Sequence, residues 1–152
     1  MGKTLTIILL FLSSLCWGQQ KITFKEEIPA LSCMFIAGAF NGVNQDLLFH
    51  YNEFQTTFPN ADPQFWDPSI SWRNKYKNGD PTQGEAFLGS NTVFAGLTDG
   101  YHATILSRNI MITTSIIISP KSKGWKPFLK RTLLYSLSYG IGFELVYAKL
   151  IK

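Results

Sequence analysis

The sequence predicts an all-α fold: a small helical membrane bundle of about three helices after a signal peptide, with an irregular aromatic-rich extramembrane loop. Three observations predict it. Hydrophobic residues make up 45% of the chain and charged residues 16%, against the roughly 25% charged that soluble domains carry. Three long apolar stretches, at 30–51, 91–119 and 127–150, are separated by segments rich in Pro, Gly or charge. The first residues have the layout of an export signal.

With 152 residues one domain is expected. A chain of that length buries a core without a disulfide or a metal. Twelve Phe, six Tyr and four Trp argue against disorder. The net charge of +4 suits an anionic lipid surface, but it is too small and too scattered for nucleic acid.

At the N-terminus, Lys3 supplies a positive start and Thr4 to Leu15 an apolar run. Cys16 and Gly18 then place small residues at the −3 and −1 positions of a cut before Gln19. Residues 1–18 therefore read as a signal peptide and 19–152 as a single helical domain. An uncleaved anchor is the competing reading, although the run falls short of the about 20 residues of a comfortable span. A lipoprotein reading of Cys16 is disfavoured by Leu15 before it. With the leader removed, Cys33 has no intrachain partner. It reads as a small buried hydrophobe.

After the polar stretch 20–27, Pro29 suits the first turn of a helix running from Ala30 to about Tyr51. Its uncharged apolar part covers about 15 residues, which predicts a half-inserted, re-entrant or packed helix. The loop 55–90 is broken by Pro59, Pro63, Pro68, Pro81, Gly79, Gly84 and Gly89. Its many aromatics predict a folded cap outside the membrane. Asp62, Asp67 and Asp80 each precede a proline, which marks turn starts rather than a calcium loop. Trp66, Trp72 and Tyr76, beside Arg73, Lys75 and Lys77, suit either a membrane interface or packing within the cap. A second long helix is expected from Asn91 to about Ser119, stopped by Pro120. A basic turn with Lys121, Lys123, Lys126, Lys130 and Arg131 leads into a last helix from about Pro127 to Leu150. Short basic loops stay in the cytoplasm. The expected location is thus a bacterial membrane or cell envelope, with turn 120–131 cytoplasmic and loop 51–92 periplasmic.

Ionisable groups on apolar helices are the candidate functional residues. Asp46 and His50 share a helical face, as do Asp99 and His102. The second face continues through Leu106, Asn109 and Thr113, with Arg108 beside it. Glu144 shares a face with Gly140 and Ser136, small residues that permit close helix approach. In the sharpest reading His50, Asp99, His102 and Glu144 form a catalytic site, with His50, His102 and Asp99 as zinc or iron ligands. No H-E-x-x-H, G-x-S-x-G or paired C-x-x-C supports it. The competing reading, which carries more weight, is a set of buried polar pairs that hold helices in register.

The block FWDPSISWRNKYKNGDP, followed by GSNTVFAGLTDGYH, resembles a family of short, uncharacterised bacterial envelope proteins with a Trp-rich loop. The resemblance runs from about Phe35 to Tyr147. It implies a shared helical fold and no activity, and it transfers no catalytic residue. The leading expectation is a small envelope membrane protein with a non-enzymatic accessory or structural role. Its partners would be the lipid bilayer and another membrane protein. The alternatives are a membrane-embedded hydrolase, metal-dependent or not, using the four residues above, and a secreted soluble helical protein. The cofactor is left open.

Overall fold

The computed structural model describes residues 23–121 and 124–151. The signal-peptide assignment at 1–18 and Lys123 of the basic turn lie outside the described residues. Within them the fold is all-α, with one isolated antiparallel bridge between Tyr76 and Glu85.

Three long helices form the body. Helix α1 spans Phe24–Phe49, 26 residues or about 39 Å. It begins earlier than Ala30 and takes Pro29 into its second turn. There the missing proline N–H forfeits one intrahelical bond. The extension matters, because it brings Glu27 into the helix and buries it. His50, with φ −137° and ψ 38°, breaks the helix, and the short α2 follows at Tyr51–Thr57.

The cap contains α3 (Pro63–Trp66), α4 (Pro68–Ser71) and 3₁₀ turns at Trp72–Lys75, Lys77–Gly79, Pro81–Gln83 and Ala95–Leu97. Each Asp-Pro step starts one of these turns. The carboxylates of Asp62, Asp67 and Asp80 accept the backbone N–H of Gln64, Ser69 and Thr82 at 2.8–2.9 Å, with proline in the first turn. These are N-caps, as turn chemistry predicts. Asn74 ties the cap to the body by donating to the carbonyls of Gln64 and Thr98.

Helix α5 is Gly100–Ile118. It starts nine residues later than expected because Asp99 is its N-cap, accepting from the backbone N–H of His102. The expected stop holds. Ser119 leaves the helix with ψ 130°, as the residue before a proline must. Helix α6 is Trp125–Leu145, extended by a π turn at Val146–Leu150.

Helix α1 is the spine. Helix α6 runs parallel to it: Glu27 meets Arg131, Leu31 meets Ser138, and His50 meets Tyr147. Helix α5 runs antiparallel, with Ala30 against Ser115, Asn41 against Arg108 and Asn44 against Thr104. Both lean on α1, while α5 and α6 stay apart along most of their length.

Glycine sets the α1–α6 distance. A Cβ on Gly38 would stand 1.9 Å from the carbonyl oxygen of Tyr139, and one on Gly142 2.0 Å from that of Phe35. Gly42, one turn beyond Gly38, is less tight, with a Cβ 2.9 Å from the Val146 Cβ and 3.1 Å from the Phe143 carbonyl oxygen. Small residues four apart permit this backbone approach. The expected close-packing glycine, Gly140, faces open space instead, and Gly142 takes its part.

The buried apolar core is small and lies at the cap end. Leu47, Phe54 and Ile151 form it, with Val43, Tyr51, Ala61, Trp66 and Val146 packed around. Trp66 also lies on the bare backbone of Gly100, where a Cβ would stand 2.4 Å from its ring. Of the two readings of the cap aromatics, Trp66 therefore follows cap packing. Trp72 is partly exposed, with the Arg73 guanidinium 5.5 Å from its ring centre.

Candidate functional site

Polar groups enter the bundle at both ends and along both helix contacts. At the cap end, the His102 Nδ1 lies 2.8 and 2.9 Å from the two Asp99 carboxylate oxygens. Asp99 is buried and also accepts from the Thr98 hydroxyl and the His102 backbone N–H. One carboxylate thus caps α5 and orients the imidazole. His102 itself is half-buried, with its ring edge-on to Tyr101.

His50 is held elsewhere. Its Nε2 is 3.1 Å from the Tyr147 hydroxyl of α6, with the rings tilted against each other. Asp46, one turn before it on α1, is fully buried. Glu144 is exposed on the outer wall of α6, beside a shallow depression shared with Ser136, Gly140 and Lys149.

Of the four residues singled out, the fold therefore pairs two, Asp99 and His102. Among the described residues no group of three His, Cys, Asp or Glu side chains is placed to hold a metal ion. The expected ligand set His50, His102 and Asp99 is not assembled. The physical reason is that capping α5 fixes Asp99 and His102 to each other, while the parallel course of α6 brings Tyr147 to His50.

The inward stripe of α5 also differs from the expected one. Gly100, Thr104 and Ser115 are its buried residues, whereas Leu106, Asn109 and Thr113 are exposed. Thr104 receives a 2.9 Å bond from the Asn44 amide, which also donates to the carbonyl of Tyr101. Arg108 reaches Asn41 at 2.9 Å. The Ser115 and Ser138 hydroxyls each donate to a carbonyl of α1, at Ala30 and Leu31.

The densest polar centre is at the opposite end and was not anticipated. Arg131 donates to the Glu27 carboxylate from Nε at 2.7 Å and from Nη2 at 2.6 Å. Its Nη1 donates to the carbonyl of Pro120. The Tyr135 hydroxyl bridges Glu27 at 2.7 Å and Ser119 at 2.9 Å. Glu27, Arg131 and Tyr135 are all buried. Both carboxylate oxygens are satisfied, the condition under which a buried ion pair is tolerated. One sequence signal existed: Arg131 and Tyr135 are four apart on α6 and so share a face. Their partner Glu27 lies in the polar stretch 20–27, ahead of the helix start expected at Pro29.

Two groups in the cap are shifted from their ordinary proton affinity. Burial raises the Tyr51 phenol, and the Asp67 and Asp62 carboxylates add to that. The Asp80 carboxyl is held low by the backbone N–H of Thr82, then by the Gln83 amide and the Thr82 hydroxyl.

No protein-family model matches the chain, and no curated protein or solved structure matches it significantly.

Proposed function

We propose that this chain is a membrane-embedded envelope protein with a structural or accessory role, working beside another membrane protein rather than as an enzyme. The observation that carries the reading is an inverted distribution of side chains. Ile117 is 75% exposed, Trp125 67%, Phe128 64% and Leu137 62%, whereas Glu27, Asp46 and Asp99 are at most 1% exposed. In water such outward apolar faces forfeit about 25 cal/mol for each Å² left unburied. In lipid they cost nothing, and the polar groups must then be satisfied inside the bundle. Close contacts through Gly38, Gly42 and Gly142 fit the same solvent, because helices in lipid associate by tight packing and hydrogen bonds.

Among the described residues no helix is long and apolar enough to cross a membrane. Such averages count every face of a helix. In α5 and α6 they are lowered by Arg108 and Arg131, which point at partners within the bundle, and by the outward Asn109, Lys126 and Glu144. At 19 and 21 residues the two helices are about 28 and 32 Å long, against a hydrocarbon thickness of about 30 Å.

The orientation that keeps the basic turn 120–131 cytoplasmic and loop 51–92 periplasmic has a consequence. Because Glu27 pairs with Arg131, the Phe24 end of α1 lies on the same side as that turn. This orientation requires the Phe24 end of α1 to remain on the cytoplasmic side. A leader cut before Gln19 would reverse it.

The hydrolase reading has one observation in its favour, the Asp99–His102 pair, since a carboxylate on Nδ1 prepares the other ring nitrogen for general-base work. Asp99 is already explained as a helix cap, and His50 and Glu144 do not join it, so the structural role is preferred.

The test is carbonate extraction of membranes carrying the tagged chain, followed by protease treatment of intact spheroplasts. Retention in the pellet with cleavage in loop 51–92 supports the reading. Release as a soluble monomer overturns the membrane assignment. Retention with a protected loop overturns the orientation.

A further inference from the structure

Because α5 and α6 diverge above α1, they leave a groove of about 660 Å³ at the basic-turn end. That volume is within the about 300–1,000 Å³ of ligand pockets. Met34 of α1 contributes to its lining, with Ile112 and Ile116 on one wall and Phe128 and Tyr139 on the other. The network of Arg131, Tyr135, Ser119 and Pro120 lines its basic-turn end, together with the exposed Lys121.

We infer that this groove holds one acyl chain of an anionic glycerophospholipid, with the headgroup phosphate on Lys121. The inference rests on the membrane reading and deepens it. Charge selects the occupant. Lys121 lines this end, and Lys126 and Lys130 lie on the first two turns of α6 next to it. The one buried carboxylate there, Glu27, is already paired with Arg131, while the formal charges of Lys25 and Glu26 cancel. The apolar trench therefore ends in net positive charge. A second copy of this chain would bring its own cations to that end, and a zwitterionic lipid would gain nothing from the excess. A neutral partner helix would leave Lys121 unanswered. An anionic lipid answers both parts, its chain on Met34, Ile112, Ile116 and Phe128, and its phosphate at Lys121. Each cation near a lipid surface of this sign adds to attraction that salt weakens.

The test uses the full chain, purified in a neutral detergent and examined by native mass spectrometry with added phosphatidylglycerol or phosphatidylcholine. The expected result is one retained phosphatidylglycerol per chain and little phosphatidylcholine. Lys121→Gln should weaken phosphatidylglycerol retention about fivefold, the effect of one cation at a lipid surface. Ser136→Trp, which fills the groove from an exposed position, should abolish the adduct. Lys77→Gln, an exposed cation of the cap, should change nothing. Equal retention of both lipids, indifference to Lys121→Gln and Ser136→Trp, or a lipid-free dimer would each overturn the inference. A chain that resists carbonate yet retains no phosphatidylglycerol refutes the groove alone. A chain released by carbonate refutes the membrane reading and overturns this inference with it.

Discussion

Replacing Gly38 by alanine should unfasten α6 from α1. The added Cβ would stand 1.9 Å from the Tyr139 carbonyl oxygen and 2.8 Å from its carbon, where ordinary contact begins at 3.4 Å. The difference between 3.4 and 1.9 Å means the two backbones must separate by roughly 1.5 Å at this point. The obstacle is main chain, so no rotamer change relieves it. Overpacking of this kind costs about 3 kcal/mol at the upper end of its range, and the better helix propensity of alanine offsets about 1 kcal/mol. The net loss is about 2 kcal/mol. Gly140→Ala is the matched control on the facing helix, because nothing lies within 4 Å of its Cβ. There the gain of about 1 kcal/mol stands alone. The two variants should therefore differ by about 3 kcal/mol, or roughly 6–12 °C in melting temperature for a chain of this size. Thermal melts followed by circular dichroism in one detergent would measure it. If Gly38→Ala melts at or above Gly140→Ala, the close parallel contact of α1 and α6 is wrong.

Two further predictions address the buried ion pair and the cap. Arg131→Leu strands the Glu27 carboxylate inside the bundle and should cost about 3–5 kcal/mol. The double variant Glu27→Met, Arg131→Leu should recover most of that loss in a chemical-denaturation cycle, and a purely additive cycle would refute the pairing. For Asp80 the folded carboxyl titrates below its unfolded value of about 3.9. Its contribution is therefore present above that pH and is lost as pH falls through the lower folded value. An acid titration of the Thr82 and Gln83 amides by NMR should show a transition below about pH 3.9 that Asp80→Asn abolishes. An unchanged profile in the variant would remove Asp80 as the cap of that turn.

Much of the local structure was legible in the residues. The three long helices follow from three apolar stretches, and Pro120 ends α5 where expected. The Asp-Pro steps at Asp62, Asp67 and Asp80 announced the turns of the cap, because a short carboxylate before a proline caps its own backbone two residues on. The shared face expected for Asp99 and His102 became a direct contact, because the two lie within one helical turn. Boundaries were less legible. Pro29 looked like a helix start and lies inside α1, and Asp99 looked like a mid-helix residue and is an N-cap.

Chemistry confined to a few neighbouring residues, such as caps, proline stops and apolar runs, determined the helical class, the turns and the order of elements. Tertiary structure alone decided which faces turn inward, that α1 and α6 run parallel, and that Glu27 finds Arg131 across 104 residues. The reason is that apolar residues lie all round these helices, so periodicity does not distinguish a packed face from an outward one. What sets the packing is instead the backbone room at Gly38, Gly42 and Gly142 and the need of each buried polar group for a partner. Both conditions are settled between segments far apart in the chain, where a local pattern carries no information.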